Sequence, residues 1–154
     1  MVWSLRRNSS QNVISHPAFS AFVLRNSPHE WMESVGKKLD ELCSLPIGWD
    51  GYSAPPVSFS TAHFAMNILA VCPPGTPAPQ IVPGSNGDLQ IEWHTLDSDV
   101  ELHVRRPNDV FAWRMSPVTS AEGEEAELTT DFNVVAAWLG ALAETSVAPN
   151  SSAA

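Results

Sequence analysis

Three stretches between residues 89 and 115 constrain this chain most. Leu89-Gln90-Ile91-Glu92-Trp93-His94, Val100-Glu101-Leu102-His103-Val104-Arg105 and Phe111-Ala112-Trp113-Arg114-Met115 all alternate along the chain. A period of two sends alternate side chains to opposite faces of a strand. Short polar connections join the runs, so an antiparallel meander is expected. A turn at residues 96–99 sets Trp93 opposite Leu102 and Ile91 opposite Val104. A turn at residues 106–109 sets Val104 opposite Phe111 and Leu102 opposite Trp113. Both registers gather the apolar residues on one face, as a half-buried sheet requires. Gln80-Ile81-Val82 adds a short strand candidate, so the meander has three to four strands.

Helical patterns flank this region. Ser27-Pro28-His29-Glu30 reads as a helix start, with Ser27 as cap and Pro28 in the first turn. Trp31, Val35, Leu39 and Leu42 then recur at helical spacing. A second helix starts at Ser58 or Ser60 and buries Ala62, Met66 and Leu69, with Phe59 as a further candidate. Pro73 and Pro74 stop it, and the run to Pro79 reads as a stiff connector. Residues 116–127 read as an acidic loop. Thr130 or Asp131 caps a last helix that buries Phe132, Val135, Trp138, Leu139 and Leu142. The expected fold is α+β: two N-terminal helices, the meander, and one C-terminal helix packed on the sheet. Residues 1–26 form an N-terminal arm, 27–145 a single domain and 146–154 a disordered tail.

A chain of 154 residues can bury a real core. Its formal net charge is -9, so direct nucleic-acid binding is not expected, because phosphate recognition needs a basic surface. No apolar run has the length of a membrane span. Met1–Arg7 is weakly basic without a long apolar stretch after it, so no secretory leader is expected. Cys43 and Cys72 fall on apolar helix faces and read as buried thiols in a reducing compartment, by default the cytoplasm, in preference to a single disulfide.

Candidate site residues fall in three groups. On the polar face of the meander, the expected register sets Glu92 opposite His103, His94 opposite Glu101, and Gln90 opposite Arg105. Two His and two Glu in a square could ligate a metal or move protons, or form complementary cross-strand pairs on a solvated face. The cross-strand reading is preferred, and no metal or cofactor is assigned. Trp49, Asp50 and Tyr52 lie in Leu45-Pro46-Ile47-Gly48-Trp49-Asp50-Gly51-Tyr52-Ser53-Ala54-Pro55-Pro56. Gly and Pro make this a rigid turn, with Asp50 bonding backbone N–H groups or, alternatively, lining a cleft with Tyr52. Glu122, Glu124, Glu125 and Glu127 form an acidic surface that is either simply solvated or a docking site for a basic partner.

The run from Leu42 through Gly48-Trp49-Asp50-Gly51-Tyr52 to Ser58 resembles a motif of small uncharacterised bacterial and mobile-element proteins. In those, Leu-Pro-x-x-Trp-Asp-Gly-Tyr-Gly-Ala precedes a helix, a Pro-containing linker and a strand with Asp-Gly, an apolar alternation and Glu-Trp. Here Pro79-x-Ile81-x-Pro83 and Gly87-Asp88-Leu89-x-Ile91-Glu92-Trp93 occupy the second part. Ser53 stands where Gly is usual, and Gly87-Asp88 reverses the usual order. The resemblance spans residues 39–105 and implies no activity.

The expected function is a non-enzymatic acidic protein-binding module of bacterial or mobile-element origin. It would act by occupying a basic protein partner, as an antitoxin, immunity protein or inhibitor of host defence does. The alternative is a small enzyme or ligand-binding domain with its site near Trp49, Asp50 and Tyr52. An exposed sheet edge would favour a homodimer.

Overall fold

A computed structural model describes residues 29–147. Three helices and five strands follow one another as α1 (Met32–Cys43), α2 (Phe59–Ala70), β1 (Gln80–Pro83), β2 (Leu89–His94), β3 (Asp99–Arg106), β4 (Asp109–Met115), β5 (Glu124–Leu128) and α3 (Asn133–Val147). The strands form one antiparallel meander in sequence order. The α+β layout is the expected one, with five strands rather than three to four. The extra strand is β5, cut from the stretch read as an acidic loop. Its Glu-Glu-Ala-Glu-Leu sequence has little strand propensity. Pairing with the long, apolar β4 overrides that weakness.

The core is one cluster drawn from one sheet face and the helices. Ile81, Leu89, Ile91, Trp93, Val100, Leu102, Val104, Val110, Ala112 and Leu128 are the buried sheet residues. From α1 come Met32, Val35, Leu39 and Leu42. From α2 come Ala62, Ala65, Met66, Ile68 and Leu69, while Phe59 stays exposed. Val135, Trp138, Leu139 and Leu142 of α3 close the layer, with Phe132 partly buried against it.

Helix starts were partly legible. The Ser58 side chain accepts from the Thr61 N–H at 3.2 Å, as a cap should. Asp131 accepts from the Asn133 N–H at 2.9 Å ahead of α3. The first helix begins later than expected, at Met32, with Glu30 in the preceding turn. Ser27, Pro28, the arm over residues 1–26 and the tail beyond Val147 lie outside the described residues. Helix α3 itself runs two residues into the segment read as tail. The Pro-rich connector is pinned by two indoles. Trp31 Nε1 donates to the Thr76 carbonyl at 2.8 Å, and Trp93 Nε1 to the Pro77 carbonyl at 2.9 Å. Backbone acceptors outside regular structure are satisfied in this way.

Both expected registers are corrected. Between β2 and β3, Trp93 faces Val100, Ile91 faces Leu102 and Leu89 faces Val104. Thr95 is the reason: its Oγ1 donates to the Ser98 carbonyl at 2.8 Å and accepts from the Ser98 N–H at 3.1 Å. The loop is therefore residues 95–98, and the slip is two residues. An even slip changes partners but keeps every face.

Between β3 and β4 the correction is larger in effect. Arg106 does face Asp109 across the tight turn at Pro107-Asn108, where Asn108 takes φ 61°. That pairing follows the expected register. An irregularity between Val104 and Arg106 then shifts the ladder by one, so that Val104 faces Val110 and Leu102 faces Ala112. An odd slip exchanges the faces. Val110 and Ala112 enter the core, and Phe111 and Trp113 go to the opposite face, beside His103 and Glu101.

Candidate functional site

The outer sheet face is built by this bulge. No described helix covers it. One row across the sheet runs Gln80, Glu92, Glu101, Trp113, Glu125. The next runs Val82, Gln90, His103, Phe111, Glu127. Phe111 and Trp113 are half-buried among carboxylates. Trp113 Nε1 donates to the Glu122 carbonyl at 3.2 Å, which fixes its ring edge against the β4–β5 loop.

The expected square of two His and two Glu is not assembled. Glu92 faces Glu101, not His103. His94 faces Asp99, and its ring lies 2.9 Å from Asp99 Oδ1 and 3.2 Å from Glu92 Oε2. Asp99 and then Glu92 hold the His94 imidazole above its ordinary value. His103 faces Gln90 and reaches instead to Asp88 at the end of the β1–β2 turn. Arg105, expected opposite Gln90, pairs with Asp109 and Glu127. Among the described residues no group of three or more His, Cys, Asp and Glu is placed to hold a metal ion.

Asp88 was missed as a site-forming residue. Burial pushes its carboxyl up, but the hydrogen bonds from His103 and the Asn86 N–H outweigh this and hold it below its ordinary value. A Cβ on Gly84 would overlap the Asp88 carboxyl group, so the bare glycine makes the arrangement feasible. The sequence signal was the Gly84-Ser85-Asn86-Gly87-Asp88 turn chemistry, which marks a hairpin but not its partner.

These two histidine–carboxylate contacts set opposite limits on pH. Asp88 has a lowered folded pKa, so its stabilisation is present above the unfolded value near 3.8 and is lost as pH falls through the lower folded value. His94 has a raised folded pKa, so its stabilisation is present below about 6.5 and is lost as pH rises through the higher folded value. A plot of Tm against pH should therefore decline at both ends. His94→Gln should flatten only the decline above about pH 6.5 and leave the acid limb in place.

The Trp49–Tyr52 turn is a self-contained structure. Asp50 Oδ1 accepts from the Tyr52 N–H at 2.9 Å and the Ala54 N–H at 3.1 Å. Trp49 Nε1 donates to the Pro55 carbonyl at 2.9 Å. Gly48 and Gly51 take φ of 82° and 87°, values that favour glycine. Tyr52 projects into solvent at 90 % exposure rather than into a cleft. Asp50 thus serves the backbone of its own loop. Asp50→Ala should lower the unfolding free energy by about 1–2 kcal/mol, and Asp50→Asn, which keeps the acceptor, by less than half of that. Urea unfolding of both variants checks the order.

The four acidic residues divide. Glu122 lies in the β4–β5 loop, and Glu124, Glu125 and Glu127 lie on β5. Glu124 faces the helix side, where it meets Arg114 at 2.7 Å. The Arg114 guanidinium also sits 5.3 Å from the Trp138 ring centroid. A cavity of about 230 Å³ opens beside that pair, lined among others by Val100, Met115, Val118 and Leu142. It includes none of the expected site residues. Glu125 and Glu127 point to the outer face, beside Trp113 and Phe111.

Compared with family models, curated proteins and solved structures, the chain gives no match. No helix among the described residues is long and apolar enough to cross a membrane.

Proposed function

We propose that this chain is a non-enzymatic acidic protein-binding module. It acts by occupying a basic protein partner, as an antitoxin, immunity protein or inhibitor of host defence does. The observation that carries the reading is the outer sheet face, where Phe111 and Trp113 stand half-exposed in rows with Glu101, Glu125 and Glu127. Aromatic rings beside carboxylates suit lysine and arginine side chains, whose stems pack on the rings while the charges pair. The net charge of -9 adds long-range attraction for a basic partner.

Nucleophilic chemistry has little support. Burial, with Asp40 nearby, pushes the Cys43 thiol up to about 11, and burial pushes Cys72 up to about 12. Neither is an activated thiolate near neutral pH. Asp50 is engaged by backbone N–H groups, which weakens the alternative of a site at Trp49, Asp50 and Tyr52. The resemblance to bacterial and mobile-element proteins is consistent with a chain that intervenes in another protein's function, and is itself part of the proposal.

The test is affinity purification of the full chain from its host at low and moderate salt, followed by titration of the purified partner. The expected partner is basic and salt-sensitive, and the double variant Glu101→Gln/Glu125→Gln should bind it roughly tenfold more weakly. A partner that binds the double variant as tightly as the parent chain would remove this face from the interface. Retention of no basic protein at low salt would defeat the reading.

A further inference from the structure

Among the described residues the meander is open, with two edges that differ. β1 covers β2 and is four residues long, preceded by Pro79 and ending at Pro83. Proline cannot donate to a further strand, so this edge is blunted. β5 covers β4 and has no proline in Glu124–Leu128. Among the described residues nothing hydrogen-bonds its far side. A row of backbone N–H and C=O groups therefore faces outward beside the aromatic rows.

Charge decides what this edge can accept. Glu124 pairs with Arg114 and Glu127 with Arg105, while Glu125 has no cation partner among the described residues. A second copy docking antiparallel on this edge would set glutamates against glutamates, which opposes pairing. A basic extended segment meets the opposite situation. Its alternate lysines or arginines reach Glu125 and Glu127 on the outer face. The residues between them lie on the side of Ala126 and Leu128.

We infer that β5 is a β-addition site, which takes an extended, lysine- or arginine-alternating segment of the partner as a sixth strand. Main-chain hydrogen bonds supply affinity, and Glu125 and Glu127 select the charge. This rests on the reading of the chain as a binding module for a basic partner, and specifies how that partner is held.

The test uses the full chain and a nine-residue peptide of alternating lysine and valine. A control peptide of the same sequence carries backbone N-methyl groups on alternate residues, in two forms that block one or the other strand edge. Calorimetry should show the unmodified peptide binding, and one N-methylated form binding roughly tenfold or more weakly. Glu125→Gln/Glu127→Gln should weaken the unmodified peptide severalfold. Amide exchange should slow within residues 124–128 and not within residues 80–83. Equal binding of all three peptides would overturn the edge site and leave a charged face that binds without strand addition. Protection at β1, or protection of β5 in a peptide-free dimer, would overturn it too. Absence of binding by any of the peptides at low salt overturns the edge site. The module reading then stands or falls on the host partner alone.

Discussion

Replacing Trp93 by alanine is expected to lower the unfolding free energy by about 3–5 kcal/mol. Trp93 is 1 % exposed and is the largest of the fully buried side chains. Its removal leaves a cavity between the sheet and the helices, because neighbours such as Val100, held in a five-stranded ladder, cannot collapse into the space. It also strips the Pro77 carbonyl of its donor. Domains of this size have a total stability of about 5–15 kcal/mol, so the variant should approach half-unfolding under mild denaturant. Trp93→Phe separates the two contributions. It refills most of the volume but cannot reach Pro77, and should cost about 1–2 kcal/mol. Urea unfolding followed by circular dichroism measures both. A Trp93→Ala loss below about 1 kcal/mol would show that the core closes elsewhere.

Gly123→Ala should cost about 2–4 kcal/mol, and unlike Trp93→Ala it should act locally first. Gly123 has φ 82°, where a side chain is strained. An added Cβ would also lie 2.5 Å from the Arg114 carbonyl and 2.7 Å from Trp113 Nε1. The Arg114 carbonyl is backbone within β4 and cannot swing away. The loop must open instead, at the point where it delivers the chain into β5. Hydrogen exchange should therefore quicken in residues 124–128 well before it quickens in β2 and β3. The loop also accepts the Trp113 indole through the Glu122 carbonyl, so the aromatic row should loosen with it. Uniform acceleration across the sheet would mean that β5 and the core unfold as one unit.

Much of the fold was readable because periodicity reports burial directly. The alternation in residues 89–94 and 100–105 marks β2 and β3 and assigns their faces correctly, despite a register two residues out. The Ser58 cap and the Asp131 side-chain bond ahead of the last helix were visible because both are local chemistry between neighbours. Residues 109–115 were different. Val110 and Ala112 compete with Phe111 and Trp113, so both faces of β4 are apolar, and size alone favoured the wrong pair. β5 was missed because its glutamates carry no strand signal of their own.

The candidate site shows the same division. The acidic composition, the meander and the rigid Trp49–Tyr52 turn are legible in the chain, since each depends on residue type and short-range spacing. Which residues meet on the outer face is settled only in the folded sheet. A bulge of one residue after Val104 turned two aromatics outward, and a hydroxyl on Thr95 moved His94 from Glu101 to Asp99. Cross-strand partners depend on the sum of every turn and bulge along the ladder. A change of one residue, invisible to any local pattern, reassigns all of them.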